Sequence, residues 1–92
     1  MSRIQAEKQQ NALNLIGELD FHSLNDLWIA QDTLLSNISH IDVSRVTRVD
    51  SSGLATLVYF CNQYNVKLIG ISPQLQTLIE LYDLQTVINH QN

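Results

Sequence analysis

Apolar residues recur along the 92-residue chain at two alternating periods. Leu13, Leu15 and Leu19 fall on alternate positions with Asn14 and Glu18 between them, which predicts a strand over 11–19. Residues 3–8 predict a weaker first strand at a sheet edge, and the intervening QQN is the turn of a hairpin. Leu24, Leu27, Trp28, Leu34, Leu35 and Ile38 then follow helical spacing. They predict a helix from Ser23 to about Ser36, with Asp20 or Ser23 as its cap. His40 to Val46 alternates again and reads as a strand. From Gly53 the period returns to helical: Leu54, Leu57, Val58 and Cys61 are i, i+3, i+4 and i+7, with Tyr64 at the edge of the stripe. Val66 to Ile71 is nearly all apolar, the pattern of a strand buried on both faces. Ser72-Pro73 opens a third helix, since proline is tolerated in the first helical turn. Its buried stripe is Leu75, Leu78, Ile79 and Tyr82. Val87 and Ile88 form a last apolar pair before a polar tail, His90-Gln91-Asn92.

The predicted order is β-β-α-β-α-β-α. Strands that alternate with helices lie parallel to their neighbours, because a helical crossover returns the chain in the same direction. The expectation is an α/β domain: a mixed four-stranded sheet with three helices mainly on one face, the other face partly wet. No repeat, low-complexity stretch or linker interrupts the pattern, so 1–92 reads as a single domain.

Composition narrows the function. Five Lys and Arg stand against nine Asp and Glu, for a formal net charge of −4. Arg45 and Arg48 are the only close basic pair, so no basic cluster is available to neutralise a row of phosphates or anchor to an anionic bilayer. No nucleic-acid partner and no direct membrane insertion are expected. The longest uninterrupted apolar run, Leu57 to Cys61, falls far short of the ~20 residues of a transmembrane helix. The N-terminal MSRIQAEKQQ has no signal-peptide character. Cys61 is the one cysteine, which excludes an internal disulfide or a thiolate zinc cluster and fits a reducing, cytoplasmic setting.

The segment Arg48-Val49-Asp50-Ser51-Ser52-Gly53-Leu54 joins a strand to a helix. A helix N-terminus presents unpaired N–H groups and partial positive charge. Ser51 and Ser52 placed there can carry a phosphate or hydrogen-bond a partner. Gly53 removes side-chain bulk so that another backbone can approach. Asp50 can cap the helix or hold a serine hydroxyl. On spacing alone, ordinary capping is the favoured reading of Asp-Ser-Ser-Gly. A second stripe, Ser52, Ala55, Thr56 and Tyr59, runs beside the buried one at the same helical spacing. Small residues beside a tyrosine on an exposed face suit a binding surface.

The run IDVSRVTRVDSSGLATLV resembles the signature of the STAS domain family, found in anti-sigma factor antagonists and in the cytoplasmic tails of sulfate transporters. GELDFHSLNDLW upstream and PQLQTLIELYDL downstream also fit, so the resemblance covers about residues 11–84. More narrowly, the short length and the SRVTRVDSSGLA run resemble the MlaB branch, the small STAS subunits of the ABC transporters that maintain outer-membrane lipid asymmetry. The resemblance implies a non-enzymatic accessory subunit without cofactor, bound to the ATPase subunit and through it to the permease and substrate-binding subunits. It would be cytoplasmic and peripheral to the inner membrane. Its partner-binding residues would be Ser51, Ser52, Gly53, Ala55, Thr56 and Tyr59, with neighbouring residues of the first helix and its entry loop. In anti-sigma factor antagonists the second residue after the aspartate is the phosphorylated serine, here Ser52. The MlaB branch tends to have Thr then Gly at these two positions. This chain keeps a hydroxyl at both, so Ser52 and Ser51 are candidate phospho-acceptors and a phosphorylation-controlled partner switch is the alternative function.

Other chemistry finds little support. His22, His40 and His90 lack metal-ligand spacing, and no metal is expected. There is no G-x-S-x-G elbow for a serine hydrolase and no Walker A run for ATP hydrolysis. Cys61 reads as a small core residue and Trp28 as part of the buried face of the first helix.

Overall fold

A computed structural model of the chain describes residues 4–85, 88, 90 and 91. The order is β1 (Ile4–Gln9), β2 (Ala12–Leu19), α1 (Leu24–Ile29), α2 (Gln31–Leu34), β3 (His40–Val49), α3 (Ser51–Tyr64), β4 (Lys67–Ile69), α4 (Pro73–Leu81) and β5 (His90–Gln91). The strands form one mixed sheet in the order β1-β2-β3-β4-β5. β1 and β2 are an antiparallel hairpin turned at Gln10, whose φ is 55°. All later pairings are parallel.

Alternation decides which way the sheet faces. Leu13, Leu15 and Leu19 of β2, Ile41 and Val43 of β3 and Leu68 of β4 are all buried. They form one core with Leu27, Leu35, Leu54, Leu57, Phe60, Cys61, Leu75 and Ile79 from the helical side of the fold. The intervening Asn14 and Asp42 are half-buried and Ser44 is exposed, the wetter face that the alternating pattern predicts. Two register shifts between β2 and β3 bracket Gly17, whose φ of 112° suits glycine.

Several boundaries differ from the sequence-based expectation, each for a local reason. The first helix is two helices with Ala30 between them. At that step the Gln31 side-chain amide donates to the Trp28 carbonyl at 3.0 Å, competing for an acceptor the next helical turn would use. Neither Asp20 nor Ser23 caps α1 through its side chain. The Ser23 hydroxyl instead donates to Glu18 O at 2.7 Å, and Asp20 Oδ1 accepts the His22 N–H at 3.0 Å, so both shape the loop before the helix. The 66–71 run is not buried on both faces. Val66 and Leu68 are buried while Lys67 and Gly70 are exposed, because β4 is three residues long and leaves the sheet at once. β3 extends three residues beyond its expected end, and α3 starts at Ser51, two residues before Gly53. The tail contributes a two-residue fifth strand beyond the four expected, since ladder bonds use backbone and need no apolar pattern. Ile88 is buried, whereas Val87 and Asn92 lie outside the described residues.

The later helix ends follow capping chemistry. Asp50 caps α3, and Asn65 closes it in the left-handed conformation. Ser72 accepts the Leu75 N–H at 3.1 Å ahead of Pro73. Lys8 ties the edge strand β1 to the end of α2, donating to Thr33 O and Ser36 O at 3.0 and 2.9 Å. No helix among the described residues is long and apolar enough to cross a membrane.

Candidate functional site

The site is the N-terminal half of α3 and what flanks it. β2 and β3 end side by side, with Leu19 opposite Val49. The Asp50 N–H donates to Leu19 O at 3.3 Å as the chain leaves the sheet. A β-carbon on Gly53 would lie 2.2 Å from that same carbonyl oxygen. Only glycine lets α3 sit this close to β2. The backbone approaching Gly53 is thus the chain's own. Gly53 is buried, and its expected place on a partner surface gives way to a role in packing.

Asp50 holds two segments at once. Its Oδ1 accepts the Gly53 N–H at 2.8 Å, capping α3, and its Oδ2 accepts the Phe21 N–H at 3.0 Å. The expected cap is present; its second oxygen goes to a backbone amide. Partial desolvation pushes the carboxyl upward, but the N–H groups of Gly53, Phe21 and Ser52 and the nearby Arg48 outweigh it. The carboxyl titrates below its ordinary range. Arg48 itself lies 3.8 Å from both Glu18 and the buried Asp20.

The structure sorts the other candidates by exposure. Ser51 and Ala55 face solvent, Ser52 is half-buried, and Tyr59 is 40% exposed. Thr56 is 2% exposed, so it leaves the expected surface stripe. Its hydroxyl donates to Ser52 O one turn back at 3.0 Å, which satisfies it inside the fold. The surface strip of α3 therefore runs through Ser51, Ala55 and Tyr59.

Apolar ground flanks this strip on both sides. Toward α1, the Tyr59 ring packs on Trp28 with centroids 4.7 Å apart, and Trp28 continues to Phe60 at 5.6 Å. Trp28 is half-buried, with one side in the core and one at the surface. Phe21, in the loop before α1, is 70% exposed. Toward α4, a groove of about 340 Å³ is lined by Ser51, Leu54, Ala55, Val58, Tyr82 and Leu84. Tyr82, expected on the buried stripe of α4, is half exposed, because the helix ends at Leu81 and the chain turns. A larger groove of about 410 Å³ lies between the end of β3 and α4, lined by Val46, Arg48, Ser72 and Leu78 among others, and includes none of the candidate residues.

Tyr82 and Leu84 escape sequence reasoning, and Phe21 enters it only as one residue of the loop before the first helix. Phe21 stands in a turn, where no periodicity marks it. Tyr82 continues a helical stripe whose helix has already ended.

At the far end of α3 the Tyr64 hydroxyl lies 2.7 Å from Asp32 Oδ1 and 2.9 Å from Gln31 Oε1. The hydrogen bond to Asp32, with partial burial and the carboxylate charge, pushes the phenol up to about 12. A raised acid stabilises the fold fully below its unfolded value, near 10 for tyrosine, and is lost as pH climbs through the folded one. Asp50 is the reverse case: its contribution is present above the ordinary carboxylate range and is lost as pH falls through the lowered value. Melting temperature measured against pH should decline between roughly pH 10 and 12, and Tyr64→Phe should shrink that decline without altering the acid side. An unchanged alkaline limb in the variant would contradict the Tyr64–Asp32 bond.

Comparison with known proteins speaks to the family and the fold. A family profile described as "Mlab, STAS domain" matches residues 2–89. The chain is 39% identical over 79 residues to the intermembrane phospholipid transport system binding protein MlaB of Escherichia coli (strain K12), covering 80% of this chain and 81% of that one. The protein of the same name from Shigella flexneri matches equally. Among solved structures, the anti-sigma factor antagonist SpoIIAA in its unphosphorylated form aligns with a TM-score of 0.68 at 18% identity, over 97% of this chain and 88% of that one. Phosphorylated SpoIIAA, a Bacillus cell fate determinant, aligns with a TM-score of 0.63 at 18% identity, over 97% and 91%.

Proposed function

The chain belongs to the MlaB family of STAS domains, and from that premise we propose that it is a non-catalytic accessory subunit of a phospholipid-transport ABC system, docked on the ATPase subunit through the exposed strip of α3. The observation that carries the proposal is that strip itself. Ser51, Ala55 and Tyr59 form a nearly charge-free surface between an aromatic patch and an apolar groove, held on a rigid helix. Interfaces concentrate aromatic and apolar anchors at their centre and keep charge at the rim. The name of the 39% identical relative, binding protein of an intermembrane phospholipid transport system, suggests the partner class. Bound there, the domain would be cytoplasmic and reach the permease and substrate-binding subunits through the ATPase. Its task would be assembly and support of the ATPase.

Co-expression of the tagged domain with the ATPase and permease of the same system tests this. Co-purification of all subunits, and an ATPase that is less active or less soluble without the domain, is the expected result. A stable, fully active ATPase that never binds the domain would overturn it.

Ser52 supports a second reading, a partner switch of the anti-sigma antagonist kind. It stands in the first turn of α3, where a phosphate would meet the positive end of the helix. SpoIIAA, named as such an antagonist and solved in a phosphorylated form, shares the fold. Phosphoserine at position 52 in protein isolated from its native cells, together with release of a kinase partner, would favour this reading over the transporter.

A further inference from the structure

We propose that Asp50 is a positioning residue for docking: one carboxylate locks the exposed Phe21 loop to the N-terminus of α3, so that Phe21 and Ser51 meet a partner as one preformed surface. The proposal rests on the docking function proposed above.

Three observations carry it. First, the two oxygens of Asp50 are divided between elements 29 residues apart in sequence, Oδ2 on the Phe21 N–H and Oδ1 on the Gly53 N–H. Capping α3 needs only one of them. Second, the loop is anchored on its other side as well. Asp20 is buried, lies 3.8 Å from Arg48, accepts the His22 N–H, and its own N–H donates to Ser23 Oγ at 3.0 Å. The backbone around Phe21 is thus fixed, while its side chain is left 70% exposed. Third, the exposed Phe21 ring meets its neighbour His22 edge-on, with centroids 5.7 Å apart, and among the described residues packs on no core residue that would draw it inward. A large aromatic held in solvent by a charged brace has nothing to gain within the domain. Preorganised anchors instead bind partners with less loss of conformational entropy.

The test separates brace from cap. Asp50→Ser keeps an N-cap hydroxyl within reach of the Gly53 amide but is too short to hold Phe21 as well. Amide hydrogen exchange on the isolated domain should show faster exchange at Phe21 in this variant, with Gly53 and Leu54 still protected. Affinity for the purified ATPase subunit should fall about tenfold, and Phe21→Ala should fall by a similar factor. The double variant should be no weaker than Phe21→Ala alone, because both changes remove one device. Asp50→Asn, with one acceptor oxygen for two amides, serves if the serine variant does not fold. Unchanged Phe21 exchange, or fully additive losses in the double variant, would overturn the proposal. Failure of the unaltered domain to bind the ATPase would instead overturn the docking function, leaving the exchange measurement to decide whether the brace exists.

Discussion

Gly53→Ala should destabilise the domain by about 3 kcal/mol, the upper end of the usual cost of overpacking. For a chain of this length that lowers the melting temperature by roughly 12–24 °C. The added carbon would sit 2.2 Å from Leu19 O and 2.9 Å from Leu19 C. Both are backbone atoms of β2, and that carbonyl already accepts the Asp50 N–H, so neither side of the contact has a rotamer to surrender. Relief requires α3 to lift off the sheet, which loosens Leu54, Leu57 and Phe60 in the core below. A thermal or urea melt measures the effect. A variant within about 1 kcal/mol of the parent would mean that α3 is less tightly seated than described. On this account Gly53 seats the helix that carries the exposed strip, and its mutation should weaken binding only as far as it unfolds the domain.

Ser51→Glu should do the opposite: keep the fold and lose the partner. Ser51 is exposed at the first position of α3, so the new side chain meets no core. A carboxylate in the first helical turn is favoured by the helix dipole by about 0.3–1 kcal/mol. The same charge lies at the mouth of the apolar groove lined by Ala55, Val58, Tyr82 and Leu84. Desolvating it there without a counter-charge costs about 2 kcal/mol or more, a loss of at least roughly thirtyfold in affinity. Circular dichroism and a melting curve establish that the variant is folded, and titration against the ATPase subunit gives the loss. A folded variant that binds as well as the parent would remove Ser51 from the interface.

These two residues show what the sequence makes legible. Asp-Ser-Ser-Gly marks a helix start by cap preference alone, and both the cap and the helix are there. The division of labour inside the motif is not legible. Whether a small residue faces a partner or the chain's own β2 depends on how close the helix sits, and no periodicity encodes that distance. The stripe through Ser52, Ala55, Thr56 and Tyr59 illustrates the limit. Thr56 and Tyr59 are three residues apart, yet one is sealed in the core and the other is 40% exposed, because on the helical wheel Thr56 stands next to the buried Phe60 while Tyr59 lies further round toward solvent. The strands were legible where alternation ran over eight or more residues, as in β2. They were not where backbone alone makes the ladder, as at His90–Gln91. The second oxygen of Asp50 and the exposed ring of Phe21 depend on a contact between residues 29 positions apart, which only the folded chain brings together.

The central claim is that the exposed strip of α3 docks on an ABC ATPase. Calorimetric titration of the purified domain into the ATPase subunit of its own system tests it most directly, run in parallel with folded Ser51→Glu. The account predicts one domain bound per ATPase subunit, and binding lost or weakened at least roughly thirtyfold in the variant. No heat of binding from the unaltered domain, or equal affinity in the two proteins, would contradict it.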